Sequence, residues 1–133
     1  MSETFADTFY FLALLNPKDS AHASARDASR GRVGGLVTTH WVLTEVGDAF
    51  ALPAHRAKFL ALLAELETDP SVVIVPFGRR LFRRGVELYR NRPDKDWPLT
   101  DCVSFVVMTD RGIRDALTGD DHFRQAGFIA LLK

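Results

Sequence analysis

A chain of 133 residues with 47% hydrophobic side chains is long enough to bury one core, so we expect a single domain over residues 1–133. This composition excludes a disordered polar chain. A formal net charge of zero excludes nucleic-acid binding through bulk charge, so such binding would need local basic patches. The lone Cys102 excludes an internal disulfide, and the longest apolar run, Phe9 to Leu15, is too short to span a bilayer. We expect a cytoplasmic protein with no membrane contact.

The first half of the chain predicts two strands, each followed by helices. A strand over Thr4–Asp7 runs directly into an apolar helix over Thr8–Leu15, and Pro17 opens a second helix at about residues 18–29. A strand over Leu36–Thr38 precedes a helix over Trp41–Leu52. Pro53 then begins another helix that reaches Glu67.

The second half continues the alternation. The β-branched run Val72–Val75 is typical of a strand buried on both faces, and Thr100 has the side chain of a helix N-cap. Strands that alternate with helices indicate an α/β fold with a mainly parallel sheet and helices on both faces. The further elements are predicted in this order: a helix over Gly78–Asn91, a helix from Thr100 to Asp110, a strand over Asp115–Thr118, a helix over Asp120–Gln125 and a strand over Phe128–Leu131.

Two carboxylates lie where apolar residues are expected. On the helix from Trp41, Glu45 falls inside the apolar arc, between Leu52 and Ala49. A buried carboxylate without a partner is costly, so a cation, a set of hydrogen bonds or an opening in the core must compensate it. A buried salt bridge to an arginine is the alternative.

Asp101 repeats this anomaly on the helix from Thr100, which is apolar nearly all round. It projects between Phe105 and Met108. The alternative is an ordinary acidic residue in a first helical turn, where the helix dipole favours negative charge.

Asp7 and Asp120 lie at or just after the ends of predicted strands. In parallel α/β sheets, ligands bind beyond the carboxyl ends of the strands. For Asp7, the alternative is an exposed acid at a strand end. Together with Glu45 and Asp101, these residues offer oxygen ligands from several elements, which suits Mg²⁺ or Mn²⁺. Without a cation, such clustered acids would repel one another.

Four segments resemble the PIN-domain ribonucleases, and the likeness is closest to the VapC-like toxins of bacterial toxin–antitoxin pairs. The segments, in family order, are ADT at Ala6–Thr8, TEVG at Thr44–Gly47, LTDCVSFVVM at Leu99–Met108 and ALTGDDHFRQAGF at Ala116–Phe128. The resemblance implies a three-layer α/β/α sandwich, dependence on Mg²⁺ or Mn²⁺, and hydrolysis of single-stranded or structured RNA. It also implies a homodimer and a cognate antitoxin protein as partners.

The resemblance assigns a role to each residue that matches a family position. The metal-binding and catalytic roles fall on Asp7, Glu45, Asp101 and Asp120. Supporting roles near the metal ligands fall on Thr8, Ser104, Thr118 and Asp121. One residue departs from the pattern: Phe9 stands where Asn or Ser is usual, which removes a polar group from the expected site.

The helix from Gly78 carries a basic face that could hold RNA phosphates. We expect Arg79, Arg80, Arg83 and Arg84 to bind substrate. A solvated amphipathic face and a docking face for an acidic protein are the alternatives.

The sequence offers little support for other mechanisms. Cys102 lies in an apolar helix and is expected to be an inert core thiol, and His122 is expected to be a surface histidine, with a contact to substrate as the alternative. A phospho-acceptor signalling domain would need a lysine at a late strand end, and no lysine is so placed. A catalytically weak or inactive PIN-like module that binds RNA or protein remains the alternative function, favoured mildly by Phe9.

The homodimer has one weak sequence argument. The helix after Pro53 carries more apolar side chains than one core face needs, although burial within the domain explains them equally well. These side chains are Phe59, Leu60, Leu62, Leu63 and Leu66.

Overall fold

The computed structural model describes residues 2–133, which form five strands and seven helices. The strands are β1 (Thr4–Ala6), β2 (Leu36–Thr39), β3 (Val72–Val75), β4 (Asp115–Leu117) and β5 (Ile129–Ala130). The helices are α1 (Thr8–Leu15), α2 (His22–Gly31), α3 (His40–Ala49), α4 (Arg56–Thr68), α5 (Arg79–Asn91), α6 (Leu99–Arg111) and α7 (Asp121–Gln125).

The five strands form one sheet in the order β3-β2-β1-β4-β5, and every neighbouring pair is parallel. The chain builds outward from β1 to β3 on one side, then returns to place β4 on the other side of β1. The strand order therefore reverses between β1 and β4, where such sheets open a crevice for ligands. This architecture confirms the predicted α/β/α sandwich.

One hydrophobic cluster joins the sheet to the helices that cover it. Phe5, Phe11 and Phe123 are fully buried, and α6 is buried continuously from Asp101 to Met108. The prediction of a central buried helix is therefore confirmed. No helix within residues 2–133 has the length and apolar composition to cross a membrane.

Helix α2 begins at His22, four residues later than predicted. The reason is local: the side chain of Asn16 accepts from the amide of Lys18 at 3.0 Å, and that of Asp19 accepts from the amide of Ala21 at 2.9 Å. These side-chain bonds hold residues 16–21 in turns rather than in a helix.

Two further predictions are wrong in ways that local sequence could not reveal. Pro98, not Thr100, is the N-cap of α6, and its backbone is extended with φ −60° and ψ 154°. Strand β3 is an edge strand rather than one buried on both faces, because it pairs only with β2; Val73 is 37% exposed.

Candidate metal centre

Asp7 lies at the crevice between β1 and β4. It follows β1 directly and is the N-cap residue of α1, and its side chain is only 4% exposed. Thr118, which follows β4, donates its hydroxyl to Oδ2 of Asp7 at 2.8 Å. The parallel pairing of β1 with β4 thus brings together two residues that are 111 positions apart.

Asp101, Asp120 and His122 form the most compact part of the site. Asp101 is 6% exposed, and its Oδ2 lies 3.0 Å from Nδ1 of His122. The same Nδ1 lies 3.3 Å from Oδ1 of Asp120, which also accepts from the backbone amide of His122 at 2.9 Å. Each of the three side chains offers a ligand atom within 4.8 Å of the others.

Glu45 is connected to this group through the start of α1. It is half-buried on α3, and its Oε1 accepts from the hydroxyl of Thr8 at 2.6 Å. Its charge raises the pKa of Asp101, so the two carboxylates interact. The structure therefore gathers all four predicted acids, with Thr8 and Thr118 as supporting hydroxyls.

Burial disfavours the charged forms of two carboxyl groups at the site. Burial, reinforced by the charge of Asp101, raises the pKa of Asp7 to about 7. Burial also raises the pKa of Asp101 to about 6, although its hydrogen bond with His122 works in the opposite direction. Among residues 2–133, the only cationic side chain within ion-pair distance of these acids is His122, and it is charged only when protonated.

This donor set fits a hard divalent cation. Clustered carboxylate oxygens with one imidazole beside them suit Mg²⁺ or Mn²⁺, and a cation would stabilise the buried carboxylates in their charged form and relieve the repulsion between them. The neutral hydroxyls of Thr8 and Thr118 orient carboxylates and leave other carboxylate oxygens free to bind.

Two predicted supporting residues are directed elsewhere. Ser104 donates its hydroxyl to the carbonyl of Thr100 at 3.1 Å, within its own helix. Asp121 is exposed, and its carboxylate lies 2.7 Å from Nζ of Lys133 and 3.6 Å from Nη1 of Arg124. Neither side chain has a hydrogen bond to the four acids among the described residues.

His122 is the site residue that the sequence reasoning passed over. It was expected to be a surface histidine, yet it contacts two carboxylates. The available signal was its place two residues after Asp120, where a capping aspartate turns the first amides of a helix towards itself. Its approach to Asp101 depends on how α6 packs against α7, which the spacing alone does not give.

Phe9 packs against the loop that carries two site residues. A Cβ built at Gly119, between Thr118 and Asp120, would lie only 2.6 Å from Cζ of the Phe9 ring. The aromatic ring therefore occupies space beside the site where the family pattern has a polar side chain, and a glycine at position 119 makes room for it.

The predicted arginines lie on the exposed face of α5. Arg79, Arg80 and Arg83 are exposed, and Arg84 forms a two-pronged ion pair with Asp110 near the end of α6. Asp110 is nine residues beyond Asp101, or about 13 Å along the helix axis. The structure thus places Arg84 away from the carboxylates. The amphipathic character of the helix is confirmed, but the arginines' substrate role remains a prediction.

Fold and site together define a parallel α/β/α domain with a cluster of carboxylates at its topological switch point. A family model described as the PIN domain matches residues 4–129, and the chain belongs to this family.

Two curated relatives match most of this chain. The 23S rRNA-specific endonuclease VapC20 of Mycobacterium tuberculosis, from strains CDC 1551 / Oshkosh and ATCC 25618 / H37Rv, is 29% identical over 126 residues. The match covers 94% of this chain and 95% of each relative. A crystal structure of M. tuberculosis VapC20, described as a sarcin-ricin loop cleaving toxin, shares the fold with a TM-score of 0.87. That alignment is 24% identical and covers 96% of this chain and 97% of the other.

Proposed function

We propose that this protein is a metal-dependent endoribonuclease that acts as the toxin of a toxin–antitoxin pair. The observation that carries the proposal is the convergence of Asp7, Glu45, Asp101 and Asp120 at the crevice between β1 and β4 of a PIN-family domain. Because VapC20 is named for 23S rRNA and for the sarcin-ricin loop, we propose a ribosomal RNA loop as the substrate class. Such a substrate would place the protein's action in the cytoplasm.

Each residue of the site has a defined task in this proposal. Asp7, Glu45, Asp101 and Asp120 would hold Mg²⁺ or Mn²⁺. The bound ion supplies an acidified water nucleophile and charge neutralisation at the phosphate. Thr118 fixes the rotamer of Asp7, and Thr8 fixes that of Glu45. Asp7 and Asp101 are buried in a medium of low dielectric constant, where they would interact strongly with a cation.

His122 joins two of these ligands. Ionised carboxylates only accept hydrogen bonds, so Nδ1 must carry hydrogen to bond Asp101, while Asp120 accepts from the backbone amide of His122 and lies 3.3 Å from Nδ1. His122 would thereby hold both carboxylates in place before the cation binds.

The decisive experiment is cleavage of purified ribosomal RNA with Mn²⁺, with Mg²⁺ and with EDTA. We expect cleavage with a cation, none in EDTA, and a loss of at least about 100-fold in Asp101→Asn, because replacing a ligand should harm activity more than disturbing its neighbours does. Asp121→Asn is the matched control, since it removes the same charge outside the cluster.

Two results would contradict this proposal. Undiminished cleavage in EDTA would exclude a metal mechanism. RNA binding without cleavage under either cation would instead identify an inactive RNA-binding module, the alternative that Phe9 supports.

The protein partners follow from the same toxin proposal. An antitoxin and a second copy of the chain both need accessible apolar surface, and Val33, Leu52 and Phe77 are each more than half exposed.

Helix α4, which follows Pro53, contributes less exposed apolar surface than the sequence predicts. Of its five apolar side chains, only Leu60 is exposed, at 59%, while Leu62 and Leu66 pack in the core. Light scattering of the purified chain at micromolar concentration tests the dimer, and a monomer there would exclude it.

A further inference from the structure

We infer that a groove between α5 and α6 binds a nucleotide of single-stranded RNA beside the metal centre, an inference that rests on the proposed nuclease function. The groove has a volume of about 880 Å³ and is called the α5–α6 groove. It is lined chiefly by Tyr89, Arg90, Arg92, Lys95, Trp97 and Cys102.

The groove adjoins the metal centre at two points. Its wall includes Leu99 and Cys102, on the first turn of α6, from which Asp101 projects into the cluster. Its Trp97 donates Nε1–H to Oε1 of Gln125 at 2.9 Å, on the short helix capped by Asp120. The groove and Asp101 therefore share the first turn of α6, and an RNA strand bound at the carboxylates would continue into the groove.

The chemistry of the lining matches a nucleotide. Tyr89 is 56% exposed although it is a large aromatic residue, so its ring is available for stacking on a base. The base-sized apolar surface continues over Val86 and Pro93. Aromatic faces bind single-stranded bases without requiring one sequence.

The lining also offers one unpaired cation to a phosphate. Three basic side chains and one acidic side chain, Asp96, line the groove, but Arg90 is paired with Glu87 and Arg92 with Asp94. Arg92 is fixed by Asp94 and stacks on Trp97, with its guanidinium carbon 4.9 Å from the ring centroid. Lys95 has no ion-pair partner within residues 2–133, so its ammonium is available for a phosphate.

The α5–α6 groove is a separate surface from the arginines predicted at the start of α5. Arg84 and Arg80 line another depression, together with Asp110, and Arg84 is already paired there. The groove lies at the opposite end of α5, where Arg90 and Tyr89 project.

The test is binding of a short fluorescein-labelled single-stranded RNA of random sequence, measured by anisotropy in EDTA so that no cleavage occurs. We expect Tyr89→Ala to weaken binding about five-fold or more, which is the lower limit for losing one base stack. Tyr89→Phe should bind like the parent because it keeps the ring.

The contribution of the Lys95 charge to RNA binding is tested with a matched pair of variants. Lys95→Gln should reduce the slope of log affinity against log salt by about 0.7, as expected for one lost phosphate contact to a single strand. Arg114→Gln removes one positive charge at the start of β4, away from the groove, and should leave the slope unchanged.

The outcomes separate this inference from the proposed function. Suppose that the parent binds and cleaves RNA, and that Tyr89→Ala and Lys95→Gln have the same RNA affinity and salt slope as Arg114→Gln. The groove is then not an RNA site, and the nuclease proposal stands. If Tyr89→Ala instead changes the molar mass by light scattering with RNA affinity intact, the groove is a protein interface and the inference is wrong. A parent that does not bind RNA overturns both.

Discussion

Asp7 combines deep burial with a strongly perturbed carboxyl. Burial raises the pKa of Asp7 to about 7 in the metal-free folded protein, whereas a carboxyl in the unfolded chain has a pKa near 4. Between these two pH values, the folded protein keeps a proton that the unfolded chain has released. The contribution of the Asp7 carboxyl to the free energy of unfolding is therefore fully present below about pH 4 and is lost as the pH rises towards 7. Asp101 acts in the same direction up to its pKa of about 6.

Replacing Asp7 with Asn should therefore stabilise the protein in EDTA at neutral and alkaline pH. The amide is nearly isosteric, can still accept from Thr118 and carries no charge to desolvate. We expect the free energy of unfolding at about pH 8 to rise by on the order of 2 kcal/mol, with the gain shrinking towards pH 4. Urea unfolding of both proteins across this range measures the difference.

Asp121→Asn provides a control with the opposite sign. Lys133 holds the pKa of Asp121 below its usual value, so its stabilising effect is present at neutral pH and is lost as the solution becomes acidic. This variant should lose stability mainly at neutral pH. A difference between Asp7→Asn and the parent that does not change with pH would mean that Asp7 ionises normally.

His122 should control metal affinity through the two carboxylates it contacts. His122→Ala removes the imidazole that bonds Asp101 and lies beside Asp120, and we expect Mn²⁺ binding measured by calorimetry to weaken about 10- to 100-fold. His122→Asn should recover much of this loss, because an Asn side-chain amide can donate from a position close to that of Nδ1. Equal affinity in the parent and both variants would show that His122 is a bystander.

Among the helices and strands, the sequence predicts the features that depend on a periodic apolar pattern or on neighbouring residues. Continuous apolar patterns set α1 and β3 at the observed bounds, and Glu45 and Asp101 stood out because a charge interrupted an apolar surface. Features that depend on strand order or helix packing could not be predicted in this way. The edge position of β3 and the contact of His122 with Asp101, 21 residues away, are both of this kind.

The crossing of α5 and α6 is another packing feature that helix propensity would misjudge. A Cβ at Gly85 would lie 2.5 Å from Cγ2 of Val103 and 3.4 Å from its backbone. Val103 is fully buried and β-branched, so it has little freedom to move away.

We therefore expect Gly85→Ala to destabilise the protein by about 1–3 kcal/mol, the usual penalty for overpacking. Helix propensity alone would predict a gain of roughly 1 kcal/mol. Gly31→Ala is the matched control in α2, where a Cβ would meet nothing within 4 Å. Denaturant unfolding of the two variants checks the sign, and a Gly85→Ala protein as stable as Gly31→Ala would disprove the close crossing.

For the molecule as a whole, the candidate metal centre joins parts of the chain that local structure does not hold together. Its acids come from the end of β1, from α3, from α6 and from the loop between β4 and α7. In the unfolded chain these groups are dispersed, so a cation that needs several of them binds the folded state alone. Such a cation stabilises the whole fold by mass action.

Mn²⁺ should accordingly raise the melting temperature of the parent above its value in EDTA. At about 100 times the dissociation constant the gain is roughly 2.7 kcal/mol, which corresponds to a shift on the order of 10 °C for a domain of this size. Asp101→Asn and Asp120→Asn should lose most of this shift, since each removes a carboxylate from the compact group around His122. Asp121→Asn should keep it, because that carboxylate pairs with Lys133 outside the cluster. Comparing each variant with and without Mn²⁺ cancels any effect of the substitution on the metal-free fold. An equal shift in all four proteins would place the bound cation elsewhere on the surface.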